Sequence, residues 1–135
     1  MMSGLRFVRR PESFCIHRLP RDRHIDLGHF GAASWYSITR TDDELSVVAP
    51  DNVDFDPGDL GPGDRQPGWS CLQIAGMLDF AMVGVIAGIS KLLADAKISI
   101  FAVSTYNTDY ILVKTADIEK AVRALAAAGH AVVTG

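Results

Sequence analysis

The fold is decided by residues 70–114, which read SCLQIAGMLDFAMVGVIAGISKLLADAKISIFAVSTYNTDYILVK. An apolar run through Leu72 and Ile74 ends at Gly76, as expected of a strand that enters a glycine turn. Apolar residues then recur at helical spacing, which predicts a helix lying on a sheet: Val85, Ile86, Ile89, Leu92, Leu93 and Ala96. After this helix the apolar period changes to two, so a second strand is predicted over 98–103.

A hairpin and a second helix follow. Residues 110–113 are rich in β-branched and aromatic side chains, and 106–109 have turn chemistry, so the two strands are predicted to pair. Thr115 is a suitable helix cap, and an apolar helix face follows it: Ile118, Ala121, Val122, Leu125 and Ala128. Gly129 then predicts the end of the helix, and 131–134 a short last strand.

The order of these elements is strand, helix, strand, strand, helix, strand, which predicts an α+β fold of the ferredoxin-like βαββαβ type. Two helices cover only one face of such a sheet, so the other face is expected to be bare. A small sheet of this kind needs a second layer or a neighbouring copy, and a partner is therefore expected.

The N-terminal half repeats this arrangement in a weaker form. Strands are predicted at 14–19, 35–39 and 45–49, and a charged tip joins the last two into a hairpin. Residues 21–31 are polar and too short for a helix of usual length, so a loop with at most one irregular turn is expected in place of the first helix. Residues 50–68 are rich in proline, glycine and aspartate, which predicts a connection without a packed core.

We infer a degenerate internal duplication from this repeated order. It comprises a shortened first unit with its loop at 1–68 and a complete unit at 69–135. Two such units could join edge to edge into one longer sheet, which would protect strands that are otherwise exposed edges.

Charge and composition argue against several functions. The net charge is -3 at pH 7 and no basic run follows Arg9 and Arg10, so neither nucleic acid nor an anionic membrane surface is an expected partner. Residues 77–89 form the most apolar window but fall short of the ~20 residues that span a bilayer. The first residues lack the apolar core of a signal peptide, which predicts a cytoplasmic location. Cys15 and Cys71 lack neighbouring cysteines and predict neither a disulfide scaffold nor a zinc site.

The turn at 76–85 is the candidate binding site. Free N–H groups at the start of a helix attract a carboxylate or phosphate, and Gly84 would let a ligand approach the backbone closely. Asp79 could pair with an ammonium group, so the combination suits a free amino acid. In the alternative interpretation, Asp79 only caps the helix, and Gly84 and Gly88 only allow close helix packing.

Other polar clusters have simpler interpretations. His24 and His29 flank Asp26, but no pair has the spacing of a helical zinc motif, so surface histidines are expected. Residues 54–59 fail the calcium-loop pattern and are interpreted as a solvated acidic loop. Residues 104–109 are interpreted as a strand end and turn whose hydroxyl groups bond to the backbone or a ligand. We predict no metal and no cofactor.

Over residues 72–128 the chain resembles the ACT domain, in particular small bacterial proteins related to the regulatory part of aspartate kinases. The resemblance rests on the segments LDF, GVIAGIS, LADAKISIFAVST and TDYILV, and in the N-terminal half on WYSITRTDDELSVVAP in outline. It implies a regulatory fold that pairs with another ACT unit and binds a small ligand, usually an amino acid, at the shared interface.

The resemblance also implies where the ligand binds. In aspartate-kinase-like members the contacts come from the start of the first helix and from the second strand of the neighbouring unit. The positions that match here are Met82, Gly84 and Val85 at the helix start, Ser99, Ile100 and Phe101 on the strand, and Asp79 as the ammonium contact. Lysine-responsive kinases carry an acidic residue at the position that matches Phe101, so an apolar ligand is favoured here.

The leading hypothesis is a non-catalytic, cytoplasmic ACT-type regulatory module that forms a homodimer and binds a free amino acid or a similar metabolite at an ACT–ACT interface. The alternative is an assembly module with a vestigial ligand pocket. A third hypothesis, a small ferredoxin-like enzyme, would need Asp79 or Asp109 as its acid or base.

Overall fold

The computed structural model describes residues 4–58, 61, 63–75 and 84–135. The chain forms two compact units, which we call the inserted unit (Glu12–Trp69) and the terminal unit (Met1–Pro11 with Ser70–Gly135). These limits differ from the expected ones, 1–68 and 69–135, because the segment before Glu12 packs with the C-terminal part of the chain.

The helices and strands follow one another in the order expected from the hydrophobic pattern, with one strand added at the N-terminus. Their bounds are β1 Arg6–Arg9, β2 Phe14–Leu19, β3 Ser37–Arg40, β4 Leu45–Pro50, β5 Arg65–Ile74, α1 Val85–Asp95, β6 Ile100–Ser104, β7 Asp109–Lys114, α2 Ile118–Ala127 and β8 Ala131–Thr134. Short 3-10 helices lie at Leu27–Phe30 and Thr115–Asp117. No helix among the described residues is long and apolar enough to cross a bilayer.

In the terminal unit the strands lie in the order β6, β7, β5, β1, β8. The β6–β7 hairpin is antiparallel, as expected from the turn at 106–109. Phe7 of β1 lies opposite Ile74 in an antiparallel pair with β5 and opposite Val132 in a parallel pair with β8. Without β1 this is the strand order of the ferredoxin-like fold, so the predicted fold class is confirmed. The added strand separates two strands that are neighbours in the simple βαββαβ plan.

Both helices of this unit bury the stripe predicted from their spacing. Val85, Ile89 and Leu93 of α1 are buried, and α2 buries Ile118, Ala121 and Leu125. They join the sheet residues Phe7, Leu72, Ile74, Ile111 and Val113 in one core. The prediction that Thr115 caps α2 is wrong. No side chain caps this helix, and the Thr115 hydroxyl lies 3.0 Å from the Ser70 hydroxyl instead.

The prediction of a bare second sheet face is also wrong. Cys71 and Leu112 both have an exposed fraction of 0%. Side chains alternate along a strand, so these two point away from the helices, opposite in direction to Leu72 and Ile111. The central strands of this unit are therefore apolar on both faces.

The inserted unit has the strand order β3, β4, β2, β5, to which β5 contributes its residues before Ser70. Each unit thus places its second, third, first and fourth strands in that order, which supports the inferred duplication. Neither connection of the inserted unit, residues 20–36 or 51–64, contains an α-helix among its described residues. Residues from these two connections cover the sheet in place of helices and complete a small core: Leu19, Phe30, Leu45, Val47 and Ala49, with Val53 and Phe55 packed against it.

Strand β5 begins earlier than expected, inside the stretch 50–68 that was predicted to be a connection. Phe14 of β2 lies opposite Trp69, but Ile16 lies opposite Gln66, so the register shifts by one residue between them. Gly68 adopts the left-handed conformation at φ 80° in this interval, as expected for a bulge residue. The bulge lets a strand continue through proline and glycine, which the sequence pattern cannot show.

Candidate functional site

The predicted binding turn leads into α1 at Gly84. This residue precedes the helix with φ 82° and ψ 4°, a left-handed conformation, and no side chain of the described residues caps this end. Its carbonyl accepts a hydrogen bond from the Gly88 N–H at 2.8 Å. A Cβ atom placed at Gly84 would have no described atom within 4 Å. Among the described residues, none would keep a ligand from the backbone at this point.

The other residues that were predicted to bind the ligand at the helix start differ in whether the structure describes them and in which of their atoms could contact a ligand. Val85 has an exposed fraction of only 5% and packs into the core, so its backbone N–H, but not its side chain, is a plausible ligand contact. Asp79 and Met82 lie outside the described residues. Their proposed contacts with a ligand stay predictions.

The predicted strand contacts lie at the beginning of β6. Ser99 is exposed, Ile100 packs against the core, and Phe101 is half-buried on the other face of the sheet. Among the described strands of the terminal unit, β6 pairs with β7 and forms an edge of the sheet. An edge strand can accept a second chain.

The two groups of predicted contacts lie at opposite ends of α1. This helix has 11 residues and is therefore about 16 Å long. Gly84 precedes its first residue, whereas Ser99 follows its last turn. A small amino acid cannot touch both groups in one copy of this unit, so the predicted site requires a second copy.

The hydroxyl groups of the β6–β7 turn bond to the backbone, in agreement with their interpretation as turn residues. Thr105 Oγ1 donates to the Thr108 carbonyl at 3.0 Å, and the buried Thr108 donates from Oγ1 to the Ile74 carbonyl at 2.7 Å. These hydrogen bonds fix the turn against β5 and leave neither threonine arranged as a nucleophile.

Two of the four histidines expected at the surface, His24 and His29, are exposed and line a shallow cavity of about 300 Å3 in the inserted unit. The expectation is wrong for the other two, because His17 and His130 are each only 5% exposed. His24 and His29 line the cavity with Asp26, whose Oδ1 accepts a hydrogen bond from the Gly28 N–H at 2.9 Å. Within the described part of the chain, no three His, Cys, Asp or Glu side chains are grouped to hold a metal ion. Asp26 has the ordinary role of capping the short helix Leu27–Phe30.

A second cavity, of about 280 Å3, was not predicted from the sequence. It also lies in the inserted unit, and His17 and Arg65 are among its lining residues. The one signal in the sequence is His17 itself, which takes an inward position in β2 between Cys15 and Leu19.

Comparison with known proteins gives this fold a family. Residues 64–127 match the ACT domain family. Atu0741, a protein of Agobacterium tumefaciens, is 34% identical in sequence, with a TM-score of 0.84 over 99% of this chain and 96% of that one. The chain belongs to the ACT domain family.

More distant structures share the fold. The regulatory subunit of aspartate kinase from Thermus thermophilus is 14% identical, with a TM-score of 0.63 over 90% of this chain and 95% of that one. A putative C-terminal regulatory domain of aspartate kinase from Porphyromonas gingivalis is 15% identical, with a TM-score of 0.53 over 94% of this chain and 96% of that one. Comparison with curated protein sequences gives no significant match. These similarities show that the chain shares this fold.

The conformation of Gly84 gives a first prediction. Gly84→Ala should lower the free energy of unfolding by about 1–2 kcal/mol, because a residue with a Cβ atom is disfavoured in the left-handed region. Gly84→Asn is the matched control and should cost less, since asparagine tolerates this region. Urea denaturation measures both. Equal losses for the two variants would show that backbone conformation is not the cause.

Proposed function

We propose that this protein is a non-catalytic regulatory module that binds a free amino acid or a similar small metabolite at an interface between ACT units of two chains in a homodimer. The observation that carries this proposal is the separation of the predicted contacts by the length of α1. Two copies can bring the helix start of one chain to the β6 edge of the other, which one copy cannot do. A cytoplasmic location and the absence of catalytic activity are parts of the same proposal.

The helix start would hold the ligand carboxylate. The Val85 N–H lies in the first turn of α1, where backbone N–H groups have no partner within the helix. The positive end of the helix dipole also favours an anion at this point. Asp79 would contact the ammonium group. Phe101 of the neighbouring chain would favour an apolar side chain on the ligand.

The ligand would act by its differential affinity for two arrangements of the dimer, because only such a difference can shift the populations of two states. A ligand that bridges two chains binds only the arrangement in which both contribute. The regulatory output would then pass to another protein.

Thermal melting of the full chain against a panel of amino acids tests this function. A ligand at about 100 times its dissociation constant should stabilise the fold by about 2.7 kcal/mol. Ser99→Arg should abolish the increase in Tm, since a long cationic side chain at the β6 edge would block the neighbouring helix start. Ser104→Arg, which changes another exposed serine at the far end of β6, is the control and should retain it. If no amino acid raises the Tm, the proposal is wrong.

The exposed edge of β6 also favours a second function, an assembly module whose ligand pocket is vestigial. Association would then be independent of any amino acid. Sedimentation with and without ligand separates the two functions: Asp79→Ala should remove the effect of the ligand and leave association unchanged if the sensor function is right. Dimerisation that no amino acid alters would favour assembly alone.

A further inference from the structure

The cavity of about 280 Å3 in the inserted unit lies where the second helix of a complete ACT unit would pack. Its floor consists of strands β2, β4 and β5, and residues of the 51–64 connection form its walls. In the terminal unit the corresponding connection contains α2, which fills that space with side chains. The connection of the inserted unit is shorter and has no helix among its described residues, of which these line the cavity: Asp51, Val53, Phe55, Asp56 and Pro57.

Strand register brings the polar residues of the cavity to one face. His17 of β2 lies opposite Arg65 of β5 and opposite Val47 of β4. Residues directly opposite each other on neighbouring strands point to the same side of a sheet. His17 and Arg65 therefore share the face that carries the small core of this unit.

One nitrogen of His17 is buried without a hydrogen-bond partner among the described residues. The exposed fraction of His17 is 5%, and the unpartnered atom is Nδ1. A buried nitrogen left in this state costs about 1–3 kcal/mol. The ring also packs edge-on against Phe55, with 5.5 Å between ring centroids.

Charges of both signs line the same space. Arg65 is exposed and lines the cavity. Asp51 and Asp56 also line the cavity, but Asp56 Oδ1 already accepts a hydrogen bond from the Gly58 N–H at 2.9 Å. Asp51 is thus the better placed anion for a ligand. Burial, and after it the charge of Arg65, lowers the pKa of His17, while Asp51 opposes this shift. His17 is therefore neutral at pH 7 and adds no second positive charge.

We propose that this cavity is a second ligand site, which binds a small zwitterionic amino acid with its carboxylate on Arg65 and its ammonium on Asp51. The cavity volume is near the lower end of small-molecule pockets, about 300 Å3, and therefore limits the ligand to a small side chain. This site lies within one unit of one chain, so it does not depend on dimerisation.

Isothermal titration calorimetry on the full chain tests the proposal, with glycine, alanine, serine, acetate and methylamine as probes. At least one of the three amino acids should bind, and more tightly than acetate or methylamine. Arg65→Gln and Asp51→Asn should each weaken this binding by about 10-fold or more, because each removes a charged hydrogen-bond partner. Arg21→Gln is the matched control, since it removes the same charge from an exposed arginine of this unit outside the cavity lining.

Several results would overturn the proposal. The first is that none of the three amino acids binds. The second is that acetate binds as tightly as the amino acids, and the third is that Arg65→Gln leaves the affinity for the amino acid unchanged. Arg65 is exposed, so its substitution should leave the fold intact.

Ser99→Arg distinguishes this site from the interface site. Binding that survives Ser99→Arg but is lost in Arg65→Gln supports the cavity. Binding that is lost in Ser99→Arg but survives in Arg65→Gln overturns the cavity proposal and leaves the proposed function standing.

Discussion

Phe7→Ala should destabilise the terminal unit by about 3–5 kcal/mol, the usual cost of removing a fully buried phenylalanine. Phe7 has an exposed fraction of 0% and belongs to the same core as α1 and α2. It reaches this core because β1 lies between β5 and β8. The buried His130 holds the segment in place: its Nδ1 accepts a hydrogen bond from the Leu5 N–H at 3.1 Å, and its ring packs edge-on against Phe7 at 5.8 Å.

Urea denaturation followed by amide hydrogen exchange measures this effect and locates it. Val8→Ala is the matched control on the same strand, because Val8 is half-buried on the opposite face, and it should cost about 0.5–1.5 kcal/mol. Equal losses for the two variants, or a loss of protection confined to residues 12–69, would show that β1 does not complete the terminal unit.

Phe30→Ala should destabilise the inserted unit by about 3–5 kcal/mol, because this unit has no α-helix in its described connections and depends on aromatic packing instead. Phe30 is 1% exposed. Its ring stacks on Tyr36 at 4.7 Å and contacts Phe55 at 5.2 Å. The side chain therefore holds both connections of the unit over the sheet.

Leu27→Ala provides the control for this variant. Leu27 lies in the same short 3-10 helix but is 59% exposed, so its loss should change the free energy of unfolding by about 0.5 kcal/mol or less. The same denaturation experiment compares the two. If Phe30→Ala costs no more than Leu27→Ala, the inserted unit is not stabilised by its aromatic connections.

The hydrophobic periodicity of the sequence was sufficient to predict most helices and strands of the terminal unit. The stripe of α1 and the last strand at 131–134 are where the pattern placed them, since each buries one face along its whole length. Strand β1 was missed because its four residues, RFVR, are too few to establish a period and both begin and end with arginine. The start of β5 was missed because Pro67 and Gly68 are typical of loops, and only the register of the partner strand reveals the bulge.

The two candidate sites also differ in how far the sequence could predict them. The left-handed turn at Gly84 before α1 follows from local chemistry, because a glycine before an apolar helix face has a direct backbone consequence. The cavity with His17 and Arg65 could not be predicted, because these residues are far apart in sequence and meet only through strand register. Its lining also combines β2, β4 and β5 with described residues of the 51–64 connection, and this arrangement is a property of packing in three dimensions.

Amide chemical shifts of the 15N-labelled full chain give the most direct test of the central claim, that an amino acid binds at the start of α1 and the edge of β6. The ligand with the largest effect on Tm would be titrated at constant protein concentration. We expect the amides of Gly84, Val85, Ser99, Ile100 and Phe101 to shift together and saturate with one dissociation constant. Saturable binding that leaves these five amides unshifted would contradict the account.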